Sequence, residues 1–150
     1  MSGARSQARR AAVQAIYQWQ ITAQTPADIA AQFRADRGKG RFDAAYFSRI
    51  VNEVPERVAE LDAYLTPLLG RTITEVDPVE RSILRIGAYE LIACPEVPWR
   101  TVIDEAVTWA RTFGAEQGHR YVNGVLDALA RRVRPEAVGS ARPKRGKPLR

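Results

Sequence analysis

One histidine, His119, and one cysteine, Cys94, are the only soft nucleophile or metal-ligand candidates in the chain. A Cys–His pair can activate a thiolate, but a Cys/His zinc centre needs several such ligands and cannot be assembled from one of each. Cys94 ends an apolar stretch just before Pro95, where a buried, inert thiol is the common outcome. His119 stands in a polar stretch, where a solvated imidazole is the common one. The neighbouring acids Asp104 and Glu105 leave a helix on different sides rather than converging. These residues give no reading of a catalytic centre, metal site or cofactor.

Basic residues beside aromatic ones offer a different chemistry. Arg5, Arg9 and Arg10 crowd the start of a helical stretch, where the dipole favours acids over bases. Phosphate groups would supply the missing counter-charge. A frayed, solvated first turn is the competing reading. In GAEQGHRYVNG, the residues Gln117, His119, Arg120 and Tyr121 combine a polar edge, an imidazole, a guanidinium and a ring. Single-stranded RNA is held by that combination, through stacking on rings or arginine planes and polar contacts to base edges. Alternatively Tyr121 packs inward with Val122 and Val125, showing only its hydroxyl to water.

The charge distribution agrees with a polyanion at the ends of the chain. The net charge is +6, yet residues 131–150 hold eight Arg and Lys against Glu136 alone, and residues 1–10 hold three arginines and no acid. The stretch between is mildly acidic. Basic ends suit arms that meet nucleic acid, and equally suit solubilising extensions. With 150 residues and 45% hydrophobic content, the chain is long enough for one domain with its own core. No apolar run approaches the ~18 residues of a membrane span. The N-terminus lacks an apolar signal segment, and a lone cysteine fits a reducing compartment. A cytoplasmic protein without membrane association is expected.

The elements that must position these residues are helical. Ala12, Val13, Ile16, Tyr17 and Ile21 follow 3–4 spacing in a helix read from Ala8 on. Thr25 and Pro26 start a second helix, over 26–36, and DRGKGR (36–41) is a connector without P-loop spacing. Residues 43–69 form a long helical region that Pro55 should kink or divide. Asp77 as N-cap, Pro78 in the first turn and Glu80 three residues after the cap open a helix whose apolar residues cover most of its circumference. That helix should be central. Helices over 100–113 and from His119 to about Arg134 complete the chain. The spacing predicts an all-α fold, a compact bundle of about six or seven helices. Its body spans 1–134, and 135–150 is a basic, flexible tail, disordered by composition.

Four segments in order, ARRAAVQAIYQWQ, DPVERSILRIGAYEL, VPWRTVIDEAVTWARTFGAE and HRYVNGVLD, resemble the NusB family of transcription antitermination factors. The resemblance covers roughly residues 5–130. The same helical domain is similar to the RNA-binding module of a ribosomal RNA cytosine methyltransferase, but no Rossmann-type catalytic domain is expected within these 150 residues. The resemblance implies a non-catalytic factor that pairs with NusE, a small ribosomal subunit protein. It further implies binding to boxA RNA in ribosomal RNA leader transcripts, within a complex on RNA polymerase that suppresses termination. Alone, such a protein would be a monomer or homodimer. The family's RNA-binding helix start carries onto Arg5, Arg9 and Arg10. Its second RNA surface carries onto Gln117, His119, Arg120 and Tyr121. Partner-binding candidates are Glu75, Glu80, Arg81 and Arg85, with Tyr17 supporting either surface.

Two departures stand out. Asp104-Glu105-Ala106 replaces the family's more usual Asn-Glu-Ala, losing an amide donor. Tyr121 stands where Phe is common, which keeps a stacking face. If Arg5, Arg9 and Arg10 each meet a phosphate, log K should fall with log salt at a slope of about −2 for single strands. Arg9→Ala should then weaken RNA binding without disturbing the fold, because its side chain is expected in solvent. A helical protein–protein scaffold with merely solubilising ends is the other class of function, and it predicts partner binding without RNA preference.

Overall fold

The computed structural model describes residues 3–36 and 42–141. The described residues form eight α-helices and one short 3-10 turn: α1 (Ala4–Ile21), α2 (Pro26–Asp36), α3 (Ala44–Glu56), α4 (Val58–Leu69), the 3-10 turn (Ile73–Glu75), α5 (Pro78–Ala93), α6 (Trp99–Phe113), α7 (Gly118–Val133) and α8 (Pro135–Ala141). The connector expected at 36–41 lies outside the described residues beyond Asp36. Among the described residues no helix is long and apolar enough to cross a membrane.

Local chemistry sets most boundaries. Thr25 caps α2 by accepting the Asp28 N–H at 3.1 Å. Pro55 offers no N–H to the helix ladder, and the chain breaks at Arg57 into α3 and α4. Gly70 closes α4 at φ +72°, a left-handed conformation that costs a residue without Cβ little. Asp77 accepts from the N–H groups of Val79 and Glu80 at 3.0 and 3.2 Å, which starts α5.

Every residue of α5 from Ser82 to Leu91 is buried. It packs against α1, α3, α4, α6 and α7, so the central position expected for this helix is observed. At Gly87 a Cβ would stand 2.7 Å from Leu126 Cδ1, so the absence of a side chain lets α5 and α7 approach closely. The carbonyls at the end of α5 find one arginine. Arg134 donates to the Glu90, Leu91, Cys94 and Val97 oxygens at 2.6–3.0 Å, gathering carbonyls from the end of α5 and the connection after it.

The structure adds two features to the expected picture. α1 begins at Ala4 rather than Ala8, so the first arginine turn is helical and not frayed. Beyond 134 the chain continues as the seven-residue α8, whose Val138 is buried against the body. The body therefore continues past Arg134 into α8, packed at Val138, and the residues of the expected tail after Ala141 lie outside the described ones.

Candidate nucleic-acid interface

The three arginines of the first turns of α1 have different environments. Arg9 was expected in solvent, but its side chain points into the bundle and is 4% exposed. Its Nε donates to both carboxylate oxygens of Glu90 on α5, at 3.1 and 2.9 Å, and a second carboxylate, Glu105 on α6, lies 3.7 Å from its Nη1. The Tyr46 hydroxyl donates to the same Glu90 carboxylate. Burial raises the Glu90 carboxyl above the ordinary range, while Arg9 and the Tyr46 hydroxyl pull it back down. Burial and the adjacent carboxylate also hold the Tyr46 phenol protonated, so it remains a donor. The reason Arg9 goes inside is that a buried carboxylate needs a buried cation.

Around this ion pair the first turn is tied to three helices. Ser6 and the Trp109 indole both donate to Glu105 Oε1, at 2.9 and 3.1 Å. The Asp43 N–H donates to the Ala4 carbonyl at 3.1 Å. Arg5 and Arg10 stay exposed. The Arg5 guanidinium lies 4.3 Å from the centre of the Tyr46 ring, with an Asp43 oxygen 4.0 Å from its Nε. Arg10 stands 5.8 Å from the centre of the Phe113 ring, at the end of α6. The turn therefore offers two guanidinium groups outward on a base fixed by the third.

The second expected RNA spot forms at the start of α7. Gln117 is the exposed N-cap residue and makes no side-chain capping bond. His119 and Arg120 line an open, polar cleft of ≈ 620 Å³ between α6 and α7 with Asp104, Thr108, Arg111 and Asn123. Tyr121 resolves into a mixture of its two readings. It is half-buried against the core, its hydroxyl donates to the Leu69 carbonyl at 2.8 Å, and the Arg71 guanidinium lies 4.5 Å from its ring centre. Its hydroxyl is engaged by the protein and one ring face carries a cation. α6 packs against both α1 and α7, so it separates the two basic spots. Cys94 is buried, with its thiol pushed up by burial. Among the described residues no group of three or more His, Cys, Asp or Glu could hold a metal ion.

The partner candidates divide by exposure. Tyr17 lines an apolar groove of ≈ 560 Å³ with Val13, Ile21, Phe33, Val79 and Phe113. Glu75 is exposed and accepts the Thr72 N–H at 3.0 Å. Arg81 donates to the Ile73 and Thr74 carbonyls at 3.3 and 3.4 Å. Glu80 and Arg85, expected on this surface, are buried instead. Glu80 turns into the junction with α7, where a Cβ on Gly118 would lie 2.1 Å from its Oε2. Arg85 forms a paired contact with Asp62 at 2.9 and 2.8 Å and reaches Gln20 Oε1 at 3.0 Å. Both support the surface from beneath.

Sequence reasoning missed Tyr46, Glu90 and Glu105 as the holders of the basic turn. One signal was available: Glu90 lies on the same helical row as Ile83 and Gly87, an acid on an inward stripe that demands a buried cation.

The NusB family model matches residues 6–131. The chain belongs to the NusB family. Among its relatives, the transcription antitermination protein NusB of Nitrosococcus oceani is 52% identical over 89% of this chain and 90% of its own. The protein of the same name from Halorhodospira halophila is 50% identical over 95% and 92%. In solved structures the fold recurs in one chain of a complex of antitermination factors NusB and NusE with double-stranded RNA, with a TM-score of 0.78, 25% identity, and coverage of 85% of this chain and 96% of the other. For a NusB-family chain, the basic turn of α1 and the cleft beside α7 are surfaces to test with RNA.

Proposed function

We propose that this NusB-family transcription antitermination factor binds boxA RNA as a heterodimer with NusE. In that complex it acts without catalysis, in the cytoplasm, within an assembly on RNA polymerase that suppresses termination. The observation that carries the reading is the α1 turn, where Arg5 and Arg10 face outward on a base locked by the buried Arg9–Glu90 pair. Two unburied guanidinium groups on a fixed turn suit a phosphate backbone, because ordering the turn in advance lowers the entropy lost on binding. Family membership and the NusB–NusE–RNA complex of a structural relative support the same reading.

Phosphates meet Arg5 and Arg10, while Gln117, His119 and Arg120 face bases across α6. Arg9 acts from inside. The N-terminal turn then contributes a slope of about −1.4 in log K against log salt, rather than the −2 of three exposed arginines. NusE docks over the groove around Tyr17, with Glu75 and Arg81 at its rim and Glu80 and Arg85 beneath. Residues 1–134 supply both surfaces, with α8 bracing the end of α7.

Fluorescence anisotropy with a short boxA-like RNA and a scrambled control, with and without NusE at two salt concentrations, tests the reading. The expected result is tighter binding to boxA, strengthened by NusE and weakened by salt. Equal, weak binding to both RNAs in the presence of NusE would leave a helical scaffold with basic ends.

A further inference from the structure

Of the two exposed arginines of the α1 turn, Arg5 does not stand alone. Its guanidinium lies 4.3 Å from the centre of the Tyr46 ring, while that of Arg9 lies 5.3 Å from the same ring. The ring itself is 3% exposed. Its far end is tethered, because the hydroxyl donates to Glu90, a carboxylate that is 1% exposed and already grips Arg9 through both oxygens. One buried carboxylate thus fixes the inward arginine and the ring on which the outward arginine rests. Asp43, the carboxylate nearest Arg5, is 4.0 Å from its Nε, outside hydrogen-bond distance, so it biases the side chain without occupying its donors.

We propose that Tyr46 and Glu90 are positioning residues for RNA binding: the Tyr46 ring, set by its tether to Glu90, is the platform that presents Arg5 to a phosphate. The inference rests on the reading of the α1 turn as an RNA surface. An unsupported arginine spreads over many rotamers, and a planar guanidinium resting on an aromatic face loses less freedom when it meets a phosphate. The ring leaves the guanidinium edge available, and that edge is the part that pairs with phosphate oxygens.

A double-mutant cycle between Arg5 and Tyr46 tests this, read by anisotropy with the boxA-like RNA, in the presence of NusE, on full-length variants whose folding is checked by circular dichroism and thermal melts. Tyr46→Leu removes the platform. Its expected effect is a loss of RNA affinity of about three- to fivefold, the size of an exposed cation–π contact. The salt slope should fall by about 0.7, one phosphate contact, which loss of stability alone would not produce in a protein that remains folded. Adding Arg5→Ala to Tyr46→Leu should cost little more, whereas adding Arg10→Ala should cost what it costs in the native chain. NusE affinity should stay unchanged. If Tyr46→Leu does not fold, the cycle is read in Tyr46→Phe, which keeps the volume and cuts the tether; Arg5→Ala is then expected to cost less than in the native chain.

Additive losses for Arg5 and Tyr46, or a native salt slope in Tyr46→Leu, would overturn the proposal. An unchanged cost of Arg5→Ala in Tyr46→Phe would overturn it in the fallback. Those outcomes differ from failure of the underlying reading, in which the native chain shows no boxA preference and Arg5→Ala changes nothing.

Discussion

Two helix starts carry arginines outward in this molecule, and they are secured by different physics. At α1, side chains do the work: Arg9, Glu90, Tyr46, Glu105, Ser6 and Trp109 join the first turn to α3, α5 and α6 through charged and hydrogen-bonded contacts. At α7, close approach does more of it, with Gly118 letting the Glu80 side chain lie against the backbone and Tyr121 reaching the Leu69 carbonyl. The first arrangement is rigid but vulnerable, since removing one charge strands the other in a dry site. The second depends more on shape and on a neutral hydrogen bond from Tyr121, so the loss of that bond costs less. Outward Arg5, Arg10 and Arg120 are alike in chemistry, and the anchors beneath them are not.

The contrast predicts a steep order of stability losses. Arg9→Ala leaves Glu90 buried with only the Tyr46 hydroxyl, and should destabilise the protein by about 3–5 kcal/mol in urea unfolding. That is the reverse of the harmless substitution expected from sequence. A loss no larger than that of a surface arginine would erase the distinction between the two starts. Tyr121→Phe, at the other start, should cost only about 0.5–1.5 kcal/mol, one neutral hydrogen bond to a carbonyl. A cost equal to that of Arg9→Ala would show that both starts are anchored alike.

Glu80 sharpens the comparison through pH. Burial, and then the nearby Asp77 carboxylate, raise the Glu80 carboxyl above its ordinary range, with Arg71 opposing them. A carboxyl raised in the folded state holds its proton more tightly than in the unfolded chain. Its contribution to stability is therefore greatest at low pH and declines as pH rises from the ordinary carboxylate range through the raised value. Glu80→Gln should remove that decline, which urea midpoints of the two proteins between pH 4 and pH 8 would reveal as a gap widening in favour of the variant. A gap that stays constant with pH would mean Glu80 is not perturbed. The smallest effect on stability belongs to Arg10→Ala, within about 0.5 kcal/mol, because the side chain is exposed. Its signature is in binding, where the salt slope should fall by about 0.7.

How far these features were legible depended on how local their causes are. The cap at Asp77-Pro78, the break after Pro55 and the apolar circumference of α5 were readable because each is decided within a turn or two of chain. The first turn of α1 was not, because its holders lie 81 and 99 residues away, at Glu90 and Glu105. An arginine in a basic helix start reads as solvated until its buried carboxylate is known. α8 was missed for a similar reason. Its composition reads as tail, and what fixes its start is Arg134 gathering the carbonyls at the end of α5, while Val138 inserts into the body. Glu80 was read as a surface acid completing a capping box with Asp77. The missing side chain at Gly118 instead opens room for it at the α5–α7 junction.

The measurement that tests the central claim most directly is the NMR spectrum of arginine side-chain Nε–Hε groups, recorded as boxA-like RNA is titrated into the protein with NusE. Arg5 and Arg10 signals should shift with RNA. The Arg9 signal should be protected from solvent exchange before RNA is added and remain in place throughout. An Arg9 signal that exchanges freely and shifts together with the other two would contradict the account, and would return all three arginines to a single exposed surface.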